Sequence, residues 1–333
     1  MAACRERPVR RLLSLLVATV MVAVAACSAP GGSGATPDHE SSAAAGLEKG
    51  AIRVGMLPIV DAAYLQRAQV AGYFAAEGLT VELVTIQGGA AAVPQLVTGE
   101  LDMTFTNNVS LLLAQFQKTG DFRFIDGGYQ AGKDTFLVMA DPGSAIRSPR
   151  DLAGKRVAVN TFKNIAELTA RSALEVSGVA SDSVTFVSIP FPDMAAALRN
   201  RQVDAAVMVE PYITDAARSL GAINVLDTAS GPTEGIAIGG VGTTASFVRD
   251  NPRTVAAFRS AVARAQAEMS DRSVVERTLP TYTRITPDIA PLISLGTWPA
   301  ALDRARLQRD ADLMRRFGML TDLDVGPMIL PPS

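Results

Sequence analysis

The chemistry open to this chain is set by where its reactive residues fall. Its two cysteines and single histidine are Cys4, Cys27 and His39, so neither type occurs beyond residue 39. An internal disulfide, a Cys/His zinc site, a Ser-His-Asp triad and a Cys-His dyad are therefore excluded from the body of the protein. Function must come from hydroxyls, amides, carboxylates, Arg/Lys and backbone groups, and no cofactor or metal is expected.

The candidate residues stand where short apolar runs stop. Asp61 and Tyr64 follow the run Ala51–Leu57, and Gln87 closes Thr80–Gln87 just ahead of Gly88-Gly89. Thr106 and Asn107 end and follow Leu101–Thr106. Farther on, Thr161 and Asn164 follow Lys155–Asn160, and Glu210 ends Val203–Glu210. Thr106 and Asn107 offer a hydroxyl and an amide to a ligand, while Asn107 also suits a helix N-cap. Thr161 and Asn164 carry the same two readings. Glu210 would repel a bare anion and pair with an amine or ring N–H, or else bond to hinge backbone. Tyr64 and Phe191 either cover an apolar or aromatic ligand or pack in the core. Lys163 either faces an anion or is solvated in its loop.

These positions need elements to hold them. At 333 residues the chain exceeds the roughly 250–300 at which single cores stop growing, so two lobes are expected. The 48% hydrophobic content is ample for packed cores, and a net charge of −2 without a basic run in the body argues against nucleic acid. Short strand-like runs alternate with helical stretches from residue 51, the pattern of parallel α/β units. Asp61 to about Gly78 reads as a helix with Asp61 at its N-cap and Gly78 as its stop. Other helices are expected at 91–100, 109–118, 164–178 and 193–201, and strands at 122–125, 135–140 and 183–190.

The order repeats at an offset of about 102. The segment from Leu96 to Thr104 lines up with that from Leu198 to Ala206, and Gly78 with Gly178. Asp102 and Asp204, at matched strand starts, read as turn hydrogen-bonding groups rather than an acid pair. A Gly-rich extended stretch, 235–248, reads as a hinge strand, and the helical segments after it should pack on the first lobe. Crossovers are then expected near 140–142 and 238–243, giving lobe I as 51–139 plus 243–333 and lobe II as 140–242.

Residues 1–26 read as a signal peptide. Arg5, Arg7, Arg10 and Arg11 precede the apolar run Leu12–Ala26, which is shorter than the ~20 residues a spanning helix needs. The segment Val24-Ala25-Ala26-Cys27 resembles the lipobox of bacterial lipoproteins, which implies a lipid on Cys27. Residues 27–48 are small and polar and read as a flexible tether, with His39 solvated in it.

The chain resembles the solute-binding lipoproteins of bacterial ABC importers, the group that binds nitrate, sulfonates, taurine and thiamine precursors. The resemblance is carried by Ile52-Arg53-Val54-Gly55, the stretches Tyr73–Val81 and Leu96–Asp102, Asp151-Leu152-Ala153-Gly154-Lys155-Arg156-Val157, and Val203-Asp204-Ala205 with Glu210-Pro211-Tyr212. It implies a type II periplasmic-binding fold of two α/β lobes with two hinge crossovers. It also implies ligand capture between the lobes, an ABC permease and its ATPase as partners, and a monomer anchored by lipid on the outer face of the cell membrane. A biosynthetic branch of the same group carries a cysteine-rich stretch and an active-site histidine and uses iron; the body here has neither residue, so an enzyme is not expected. The expected ligand is sulfonate- or taurine-like, with an aminopyrimidine thiamine precursor as the alternative. A ligand-sensing lipoprotein is the reading from another class.

Overall fold

The computed structural model describes residues 46–331, so the signal peptide, Cys27, His39 and nearly all of the tether lie outside the described residues. Strands β1 (Ala51–Met56), β2 (Thr80–Thr85), β3 (Met103–Asn107), β4 (Phe122–Phe124), β5 (Tyr129–Gln130) and β6 (Phe136–Ala140) come first. They are followed by β7 (Arg156–Val159), β8 (Thr185–Ser188), β9 (Ala205–Val209), β10 (Ile223–Asp227) and β11 (Ala237–Thr244). The main helices are α1 (Ala63–Val70), α2 (Tyr73–Ala76), α3 (Gly89–Thr98), α4 (Asn108–Phe116), α5 (Ile165–Val176) and α6 (Phe191–Arg199). Then come α7 (Tyr212–Leu220), α8 (Ala245–Asp250), α9 (Pro252–Glu268), α10 (Arg272–Thr278) and α11 (Arg304–Arg316).

Two sheets result. One has the order β2-β1-β3-β11-β4 with β5 beside β11, and the other β10-β6-β9-β7-β8. In each, three parallel strands (β2-β1-β3 and β8-β7-β9) are flanked by an antiparallel one that arrives from a crossover, β11 in the first and β6 in the second. The central strands β3 and β9 are buried along their whole length, as strands covered on both faces must be; β9 is apolar throughout, whereas β3 buries Thr104, Thr106 and Asn107 beside Met103 and Phe105.

The repeat read from sequence is structural. The Asp102 carboxylate accepts from the backbone N–H of Arg53 at 3.0 Å, and Asp204 accepts from that of Arg156 at 2.8 Å. The backbone N–H groups of both aspartates donate back to the same two residues. Both acids thus stitch the start of one strand to the start of its neighbour, at the end of each sheet away from the strand C-termini. Gly78 and Gly178 follow helices at the same φ of 76°, a left-handed conformation that glycine adopts without strain.

Some local expectations change. β6 pairs with β9, from Phe136↔Val209 to Ala140↔Ala205, so the first crossover precedes Phe136 instead of following Ala140. A wholly apolar strand fills the interior of either sheet equally well, and nothing local specifies its partner. β11 pairs within the first sheet from its first residue, with β5 at Ala237 and Gly239, β3 from Gly239 to Gly242 and β4 from Gly242 to Thr244, which puts the return crossover before Ala237. Asp61 makes no cap: it lies in a 3-10 turn, Val60–Ala62, without a side-chain bond to the helix. The helix after it breaks at Gly72, whose φ of 73° is left-handed, before resuming as α2. Residues 287–294 form only a 3-10 turn at Ala290–Leu292, and the last helix starts at Arg304, where Asp303 caps it.

The C-terminal helices pack on the first sheet's side, as expected. α9 lies on α1 and α2, with Phe258 stacked on Phe74 at 5.3 Å, an aromatic pair worth about 0.5–1.5 kcal/mol beyond its buried area. α11 lies on α4, where the buried Asp310 accepts from the Asn108 amide at 2.7 Å. No helix among the described residues is long and apolar enough to cross a membrane.

Candidate functional site

The two sheets turn the C-terminal ends of their strands toward one another, and the helices α3, α4, α5 and α6 begin there. Helix starts leave backbone N–H groups without intrahelical partners, so this is where the fold offers donors to a ligand. Between the lobes lies an inner cavity of 30 Å³, room for little more than a water molecule, beside an outer chamber of 370 Å³. Leu57, Ile59 and Phe191 form the wall that both spaces share.

Close approach of the lobes depends on glycine. A Cβ on Gly88 would sit 2.9 Å from the Thr161 Cγ2 and 3.1 Å from the Asn160 Nδ2 of the opposite lobe. A Cβ on Gly89 would sit 2.3 Å from the Thr106 Oγ1 and 3.0 Å from the Asn107 backbone nitrogen. Only the smallest residue lets α3 start against the end of β3.

Asp61 lines the inner cavity. Its side chain is 4% exposed, and among the described residues no side-chain or backbone donor reaches its carboxylate through a hydrogen bond other than its own backbone. Burial pushes this carboxyl up to about 7. The sign follows from linkage: the folded state holds the proton that an unfolded aspartate loses near pH 4. This group therefore subtracts stability as pH rises from about 4 through about 7, unless a bound donor offsets it. Its loop is held from behind. The Trp298 indole donates to the Asp61 carbonyl at 2.9 Å, and the Tyr282 hydroxyl to the Ile59 carbonyl at 2.8 Å.

Three amides share the cavity. Asn107 caps α4, its Oδ1 accepting from the Ser110 N–H at 2.9 Å; its Nδ2 lies toward Gly89. Asn164 caps α5 through its Oδ1, which accepts from Glu167 at 3.2 Å. Its Nδ2 donates to the Asn160 Oδ1 at 2.6 Å and to the Thr161 Oγ1 at 3.0 Å. Asn160 is thereby oriented with its own Nδ2 toward Gly88. The remaining lining is apolar: Leu57, Ile59, Phe105, Phe136, Ile165 and Val209, with Phe191 and Ile238. Among the described residues no Lys or Arg lines either space. Lys163 is exposed in its loop.

The structure thus gathers Asp61, Asn107 and Asn164 into one cavity and sets Gln87 in the outer chamber with Asp193 and Tyr212. Thr161 stands at the lobe contact and braces Asn164. Thr106 is fully buried beneath Gly89, its hydroxyl turned to the Asn107 carbonyl at 3.3 Å. Tyr64 is fully buried as well and faces Asp126 in the core of the first lobe, away from the cavity. Phe191 stacks on Tyr212 at 5.7 Å in the shared wall.

Glu210 does not line the cavity. Its carboxylate accepts from the N–H of Thr214 at 3.1 Å, the hydroxyl of Thr214 at 2.9 Å and the N–H of Ser294 at 3.1 Å. Burial raises its pKa, and the bonds to Ser294 and Thr214 oppose that rise. Of the two carboxylates singled out from sequence, the one at the cavity is Asp61. Asn160 was not singled out, although it directly follows the strand β7, and Asn107 too stands at a C-terminal strand end. That place was the available signal.

The NMT1/THI5 like family matches residues 60–272. Among curated proteins no sequence relative matches the chain. Among solved structures, the alkanesulfonate-binding protein SsuA from Xanthomonas axonopodis pv. citri, bound to MOPS, is similar over 86% of this chain and 99% of its own, with a TM-score of 0.72 and 18% identity. The periplasmic nitrate-binding protein NrtA from Synechocystis PCC 6803 is similar over 83% of each chain, with a TM-score of 0.72 and 14% identity. The Candida albicans CA3427 gene product, described as having the generic periplasmic binding protein fold, covers 84% of this chain and 96% of its own at a TM-score of 0.69 and 15% identity. With two sheets, paired crossovers and a cavity between facing strand ends, the chain has the periplasmic-binding-protein fold and belongs to the NMT1/THI5-like family.

Proposed function

We propose that the protein is the extracytoplasmic substrate-binding component of an ABC importer. It captures, without turning over, a small flat ligand that presents N–H donors beside a ring or amide acceptor, of the aminopyrimidine thiamine-precursor kind. The observation that carries this reading is the buried Asp61 carboxyl, open to the cavity and lacking a donor from any other residue among those described. The closed inner cavity holds little more than a water, so the lobes must part to admit the ligand; its N–H would then meet Asp61, while the Nδ2 groups of Asn107 and Asn160 would donate to an adjacent acceptor. Phe105, Phe136 and Phe191 suit a planar apolar body.

The sulfonate and taurine reading is weaker on the same grounds. Taurine's amine would suit Asp61, but among the described residues no guanidinium or ammonium lines the space to receive the sulfonate. The proposal extends to the leader: Cys27 carries the lipid, residues 27–48 tether the body to the membrane, and permease and ATPase receive the loaded form. Thermal-shift measurement with both ligand classes tests the ligand assignment. An aminopyrimidine at a hundred times its Kd should stabilise the protein by about 2.7 kcal/mol. Stabilisation by alkanesulfonates alone would overturn the assignment.

A further inference from the structure

Glu210 and Asn108 occupy matched places in the repeat, each the first residue after a fully buried strand, β9 and β3. Asn108 works inside its own lobe, donating to the Ala237 carbonyl at 3.1 Å and to the Asp310 carboxylate at 2.7 Å. Glu210 does something else. Its backbone carbonyl accepts from the N–H of Val60, in the loop after β1 of the opposite sheet, at 3.1 Å. Its carboxylate accepts from the N–H of Ser294. Ser294 belongs to the segment between α10 and α11, which is fastened to the first lobe on both sides. Tyr282 donates to Ile59, Gly296 donates to the Tyr129 hydroxyl at 2.7 Å, and Thr297 bridges to Gln130.

We propose that Glu210 is a positioning residue, a latch that holds the second lobe closed on the first by joining the end of β9 to the 282–298 segment. One carboxylate oxygen takes the N–H of Thr214, which ties the acid to its own lobe at the start of α7. The other takes the hydroxyl of Thr214 and the N–H of Ser294. The side chain is 3% exposed, so water competes poorly for the Ser294 bond and its loss is not readily made good. Opening the lobes must break this bond and the Val60 bond together. The latch acts on the free protein; its bearing on ligand affinity rests on the function proposed above.

Interlobe distance measured by pulsed electron spin resonance tests this without any ligand. Only Cys4 and Cys27 need replacement by serine, after which spin labels at Val97→Cys on α3 and Val176→Cys on α5 report one distance; both sites are exposed, at 48% and 62%. With Glu210 present, a single short distance should dominate. Glu210→Ala should lower the ratio of closed to open forms by about tenfold or more, the effect of losing a hydrogen bond to a buried charge. Glu210→Gln, which keeps an acceptor for Ser294, should restore most of the closed population. Thr214→Val, which removes only a bond within the lobe, should lower thermal stability and leave the distance unchanged. An unaltered distance distribution in folded Glu210→Ala would overturn the latch and leave the ligand assignment standing. A working latch in a protein that binds no aminopyrimidine would do the reverse.

Discussion

The two halves of the repeat agree at one end and diverge at the other. At the strand starts, Asp102 and Asp204 make the same reciprocal pair of bonds to Arg53 and Arg156. At the strand ends, matched positions carry different residues with different duties. α3 starts with Gly89, pressed against β3, whereas α6 starts with Phe191, whose ring forms a wall of the cavity. Asn108 binds within its lobe and Glu210 across the lobes. A turn that only closes a βαβ unit faces the same geometric demand twice and is met in the same way. The cleft presents one asymmetric ligand surface, so the two halves cannot be alike there.

Substitutions at matched positions should expose this division. The largest stability effect is expected at the cleft. Phe191→Ala should cost about 3 kcal/mol, at the low end for a buried aromatic, and merge the inner cavity with the outer chamber. Gly89→Ala should cost about 1–3 kcal/mol for the opposite reason, because its Cβ would meet Thr106 and Asn107 too closely. Chemical denaturation of both variants, with crystallographic cavity volumes, checks the pair. Equal cavity volumes in the two variants would break the comparison.

At the strand starts the effects should be no larger than that of Gly89→Ala and of one kind. Asp102→Ala should cost about 1–3 kcal/mol. Asp204→Ala should cost less, because its side chain is 34% exposed against 8% for Asp102 and water replaces part of what is lost. Neither should alter ligand affinity, as titration calorimetry would show. A change in affinity from either would mean that the strand starts are coupled to the cleft after all.

Much of this division was legible in the sequence. The α/β alternation, the offset repeat and the turn role of Asp102 and Asp204 all rest on local pattern, and local pattern is what the backbone obeys at those places. The partner of β6 was not legible, since Phe136–Ala140 is an apolar run with no polar face to assign it to one sheet or the other. The roles of Asp61 and Glu210 were not separable either. Both are acids after apolar strands, and what distinguishes them is that Thr214, the start of the next helix, and Ser294, 84 residues away, donate to Glu210 and not to Asp61. Asn160 was hidden for a related reason: its orientation comes from Asn164, which looks from sequence like a helix cap and is one, while also aiming its neighbour.

The central claim is that the Asp61 carboxyl receives a ligand N–H. Titration calorimetry with an aminopyrimidine at pH 8, on the unsubstituted protein and on Asp61→Asn, tests it most directly. The account predicts binding to the unsubstituted protein and a loss of about tenfold or more in Asp61→Asn, the effect of replacing a charge-assisted hydrogen bond by a neutral one. Equal affinity in the two proteins would contradict it.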